Sequence, residues 1–68
     1  MKIFAQRLKE LRTAKGLSHI ALGKEIGIAA SSVGFWENCI NTPSAEYVVI
    51  LAKFFGVSTD YLLGVKDY

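Results

Sequence analysis

Sixty-eight residues allow one small domain, and an apolar fraction of 51% supplies its core well. The single cysteine, Cys39, excludes an internal disulfide and a cysteine-rich zinc site. No apolar run approaches the ~20 residues of a membrane span, and the start MKIFAQRLKE has no apolar signal segment.

Net charge is +2, which alone argues for no partner, but it is unevenly divided. Residues 1–24 hold six of the eight bases (Lys2, Arg7, Lys9, Arg12, Lys15, Lys24) against Glu10, a net +5, and residues 25–68 carry −3. Such a dipole orients a protein modestly toward a polyanion; the alternative is a solvated basic first helix.

Residues 2–15 read as a first helix, with Phe4, Leu8 and Leu11 on one stripe and Lys2, Gln6, Lys9 and Glu10 elsewhere. Gly16 ends it, and Ser18 caps a second helix over about 18–26. A third follows over about 30–38. The run joining them, Leu17 to Asn38, is LSHIALGKEIGIAASSVGFWEN. Counted from His19, its fifth residue is Gly23, where two crossing helices approach and a side chain beyond Ala would clash. The ninth is Gly27, at the turn, where a positive φ suits glycine. Leu22, Ile26, Ile28, Val33 and Trp36 form the buried apolar set of two helices crossing steeply, the pattern of a helix-turn-helix. In that pattern Trp36 is core rather than a stacking platform.

Asn41-Thr42-Pro43-Ser44 is a loop closing on a capping serine, with Glu46 in the favourable first turn. The fourth helix, about 45–55, buries Val48, Leu51, Ala52 and Phe55 and stops at Gly56. Ser58 caps a last short helix that ends at Leu63, before Gly64. No strand pattern, repeat or linker interrupts the series. The expected fold is all-α, a compact five-helix domain over residues 1–68 with its helix-turn-helix at about 18–38.

A second stripe on the fourth helix, Tyr47, Ile50 and Phe54, is left over for the surface once the first faces the core. With Tyr61 and the tail Val65–Tyr68 it is a candidate homodimer contact; extra core is the alternative. One histidine, one cysteine and six scattered acids give no nucleophile–base pair and no metal spacing, so neither an enzyme, a metal nor a cofactor is expected. Cys39 is read as a redox-sensitive thiol or as a tolerated substitution for glycine.

The pieces RLKELRTAKGLS, then GI, SSV and FWEN within residues 27–38, then Pro43-Ser44, then LAKFFGVSTDYLLG are together specific. Over about residues 4–64 the chain resembles the lambda-repressor-like helix-turn-helix family of the Xre/Cro type. The resemblance implies a sequence-specific regulator of transcription, a repressor, bound as a homodimer to a double-stranded DNA operator. No membrane and no small-molecule ligand are implied, and the location is cytoplasmic, in a bacterium or encoded by a phage. Helix 3 would lie in the major groove, with the base-reading positions on Ala30, Ser31, Ser32 and Phe35. The serines can bond bases or phosphate, whereas Ala30 and Phe35 offer only apolar contact, for instance to a thymine methyl. Many relatives carry Gln, Arg or Lys at these places.

For phosphate the resemblance implies His19, where relatives have Gln, then Asn38, Asn41 and Thr42 after helix 3, with Lys15 as a further neighbour. Cys39 and Ile40 stand where relatives often have a glycine and bases. Arg12 and Glu37 match the partly buried ion pair between helices 1 and 3 that fixes the reading helix. A protein-interaction module that keeps the fold and has lost operator reading is the second expectation, favoured by the apolar Ala29, Ala30, Gly34 and Phe35.

Overall fold

The computed structural model describes residues 2–68; Met1, the first residue of the expected domain, lies outside the described residues. These form five α-helices and no strand: α1 Lys2–Ala14, α2 His19–Ile26, α3 Ala30–Glu37, α4 Ala45–Phe55 and α5 Thr59–Leu63. The three expected capping serines act as such. Ser18 Oγ accepts from Ala21 N at 3.0 Å, Ser44 Oγ from Tyr47 N at 3.4 Å and Ser58 Oγ from Tyr61 N at 2.9 Å.

One core joins all five helices. Phe4 and Leu8 from α1, Leu22 from α2, Val33 and Trp36 from α3, Leu51 and Ala52 from α4 and Leu62 from α5 are buried together. Phe4 meets Trp36 edge-on, with ring centroids 6.5 Å apart. The packing leaves α2 and α3 against each other, α1 against α3 and α5, and α4 against α5 and α2. Truncating a member such as Leu22 to Ala is therefore expected to cost about 2–5 kcal/mol.

Gly23 sits where the two motif helices meet, and the fit is tighter than the sequence suggests. A Cβ built there lies 2.5 Å from the carbonyl oxygen of Ile28, so even Ala does not fit. The obstacle is backbone and cannot rotate away, which makes Gly23→Ala an overpacking change of about 1–3 kcal/mol. Gly27 adopts φ +79°, and its N–H bonds the Gly23 carbonyl to close α2.

Three burial expectations need correction. Ile26, Ile28 and Phe55 are half-buried at the edge of the core rather than fully enclosed. For the second α4 stripe, the extra-core alternative holds at Tyr47 and Phe54: Tyr47 lies 5.7 Å from Trp36 and Phe54 lies 5.0 Å from Phe55, between ring centroids. The cause is that α4 has neighbours on more than one side, so two apolar stripes are both used. Of the expected stripe only Ile50 is exposed.

The first helix also carries a clamp. Arg7 Nη1 donates to the carbonyls of Tyr61 and of Lys66, the latter at 2.8 Å. Its guanidinium lies 4.2 Å from the centre of the half-buried Tyr61 ring, and Asp67 is 3.6 Å away. This base holds the chain's last helix and tail to α1.

Candidate nucleic-acid interface

The motif helices form an open depression of about 710 Å³ lined by α1, α2, α3 and the segment that follows α3. Ala30, Ser31 and Phe35 meet there with His19 and Asn38, from the base-reading and phosphate sets respectively. Ser32 is half-buried beside it, its N–H bonded to the Ala29 carbonyl at 3.1 Å. Asn41 and Thr42 are exposed in the segment that follows, and Asn41 N–H reaches the Phe35 carbonyl at 3.4 Å. Lys15 is drawn elsewhere. Its ammonium lies 5.0 Å from the centre of the Phe54 ring, against the end of α4.

A network at the base of the depression fixes α3. Arg12 Nε and Nη2 donate to the two oxygens of Glu37 at 2.7 and 3.0 Å, and Nη1 donates to the Leu17 carbonyl at 2.7 Å. The two side chains are only 11% and 5% exposed. One guanidinium thus ties α1 to the turn before α2 and to the last residue of α3. Burial works to raise the Glu37 carboxyl, but hydrogen bonds from Arg12 and His19 and their charge prevail and hold its pKa below the ordinary value. The Glu37 hydrogen bond raises Arg12 against the opposing effect of burial.

The sequence did not reveal that His19 belongs to this network. Its Nε2 faces Glu37 Oε1 at 3.2 Å. A carboxylate accepts, so that nitrogen carries the proton, and a phosphate is left only Nδ1, which donates when the ring is doubly protonated. The expected phosphate role is therefore restricted to one nitrogen in one protonation state. Periodicity has no signal for such a meeting, which spans eighteen residues and two helices.

Two further residues at the depression were not singled out for recognition. Ile20, 62% exposed, lies on α2 away from the core-facing Leu22, and Ile40, 65% exposed, lies beyond α3. Their placement follows from local structure. Ile20 is adjacent to the capped start of α2. After α3, Cys39 N–H bonds the Trp36 carbonyl and Ile40 N–H bonds the Phe35 carbonyl at 2.9 Å, the pairing of a Schellman C-cap. That cap needs a left-handed residue, and Cys39 supplies it at φ +60°. It also returns Ile40 toward Phe35, which is 41% exposed.

The helix-turn-helix family model matches residues 8–62. YobD of Bacillus subtilis (strain 168), named as an uncharacterised HTH-type transcriptional regulator, is 43% identical over 65 residues, covering 96% of this chain and 58% of YobD. The chain spans 31% of a second relative, the HTH-type transcriptional activator BcrR of Enterococcus faecalis, at 32% identity over 94% of its own length. It therefore matches about half or less of such curated relatives. Among solved structures, the P22 c2 repressor in complex with a synthetic operator superposes with a TM-score of 0.83 at 27% identity, covering 91% of this chain and 94% of that one. The N-terminal DNA-binding domain of SinR from Bacillus subtilis gives 0.83 at 30% identity, covering 93% of each chain. With the motif geometry and these matches together, the chain belongs to the helix-turn-helix family.

Proposed function

We propose that residues 1–68 form one DNA-binding domain of a sequence-specific transcriptional regulator, a repressor, with α3 in the major groove of a double-stranded operator. The carrying observation is the convergence of Ser31, Phe35, His19 and Asn38 on one open depression that no carboxylate lines. Glu37, the nearby acid, is 5% exposed and spent on Arg12 and His19. A polyanion meets no repulsion there. The likeness to a repressor crystallised with its operator supports the same reading. The relatives named above are transcriptional regulators rather than enzymes.

The regulator acts as a homodimer. The protomer measures 28 × 23 × 20 Å, shorter than the about 34–36 Å between reading helices on successive turns of one DNA face. A groove between the start of α4 and α5, lined by Pro43, Val49 and Leu63, offers a contact with exposed apolar side chains. Of the stripe on the other side of α4, Ile50 alone is exposed, while Tyr47 and Phe54 pack against the core. No helix among the described residues is long and apolar enough to cross a membrane. A cytoplasmic location, in a bacterium or from a phage, completes the proposal.

The exposed Ile20, Phe35 and Ile40 favour a second reading, a protein-interaction module on the same fold. Selection from a random duplex pool, followed by anisotropy titration at two salt concentrations, separates them. A regulator enriches a palindrome and binds it far more tightly than scrambled DNA, with a salt slope that counts the phosphates engaged. Weak, equal binding to all duplexes favours the module.

A further inference from the structure

At the depression the long side chains that reach outward are apolar. Ile20, Phe35 and Ile40 are all substantially exposed, and Ala30 lies among them. Lys, Gln and Glu, whose forked or charged ends read guanine, adenine and cytosine edges, are absent from its lining. Its ionisable groups are Arg12 and His19, and Arg12 is held by Glu37 and the Leu17 carbonyl. Ser18, Ser31 and Asn38 contribute short polar groups, and the Asn38 amide already donates to the Gly34 carbonyl at 2.9 Å. The major-groove edge of a base pair offers one apolar group, the methyl on C5 of thymine.

We propose that Phe35, with Ile20 and Ile40 beside it, recognises C5-methyl groups of pyrimidines, so that the operator carries thymines opposite this apolar cluster. The inference rests on the proposed DNA-binding reading and names what that site discriminates. The lining lacks carboxylates, has two cationic or protonatable side chains and is continuous with the phosphate-directed groups, which suits a duplex. Discrimination then comes from burying methyl groups against the cluster, while the serines bond any base within reach. Each methyl buried is worth about a fourfold gain in affinity.

The test uses the duplex enriched by selection, with thymines replaced singly, in both half-sites, by deoxyuridine. This removes the methyl and leaves every hydrogen-bonding group of the base pair in place. The wild-type chain is expected to lose about fourfold per affected half-site at one or two positions and nothing elsewhere. In Phe35→Ala, checked for helicity by circular dichroism, the difference between thymine and deoxyuridine is expected to shrink at those positions. Ile20→Ala serves if Phe35→Ala does not fold.

Sequence-selective binding indifferent to deoxyuridine overturns this proposal and leaves the regulator reading standing. Methyl dependence that persists in Phe35→Ala, Ile20→Ala and Ile40→Ala also overturns it, since the methyl then acts through DNA shape. Failure to enrich or bind any duplex overturns the regulator reading, and this inference with it.

Discussion

Cys39 holds a backbone conformation that suits glycine. Its φ of +60° lets the Schellman cap close α3, and its Cβ adds strain that glycine lacks. Cys39→Gly is therefore expected to stabilise the fold by about 0.5–1 kcal/mol, read by denaturant titration, after the greater entropy of glycine in the unfolded chain is offset. A decrease in stability would show that the thiol has a structural role. The sequence carried half of this information: a cysteine in place of a family glycine was legible, but the sign of φ was not.

The Arg12–Glu37 pair was legible from its place in the family pattern, whereas its extension to His19 needed coordinates. Because the folded Glu37 titrates below its ordinary 4.5, its contribution is complete above that value. It disappears as the pH falls through the folded-state value. Thermal melts from neutral pH down to about 3 are expected to show an acid-side loss of stability that is smaller in Glu37→Gln than in the wild type. Equal losses would mean that other carboxylates dominate acid unfolding.

Among α2, α3, α4 and α5, α3 is the least secured at its start. Ala29 has N-cap geometry, φ −69° and ψ 144°, with no side-chain acceptor, while α2, α4 and α5 all begin on serine. Ala29→Ser supplies an acceptor for the exposed helix start and is expected to add about 1 kcal/mol. In a chain of this size that is about 4–8 °C in Tm. An unchanged Tm would mean that the hydroxyl turns to solvent. Helix positions and stops were readable because caps and glycine stops are local. The second stripe of α4 could be read as surface or as core because periodicity reports which faces are apolar, not how many neighbours a helix has. Tyr47 and Phe54 go to the core, and Ile50 alone stays outside.

For the whole molecule, the basic first half delivers less than its count promises. Arg7 is clamped to α5 and the tail and Arg12 to Glu37, and Lys15, though exposed, rests on Phe54, which leaves Lys2, Lys9 and Lys24 as the exposed bases without such a contact. A modest salt slope is the expected consequence. The dimer proposal makes a separate demand. Leu63→Asp places a charge in the apolar groove beside Val49 and is expected to weaken operator binding and self-association together, with helicity retained. Sedimentation and anisotropy on the same variant check this, and operator affinity equal to wild type would remove the groove from the interface.

Mapping amide chemical shifts as an enriched duplex is titrated in shows whether the depression around α3 receives the DNA. The largest changes are expected at the start of α2, through the first half of α3 and at residues 38–42, with small changes on the outer face of α1. Changes confined to α4 and α5, or none around Ser31 and Phe35, would contradict this placement of the duplex.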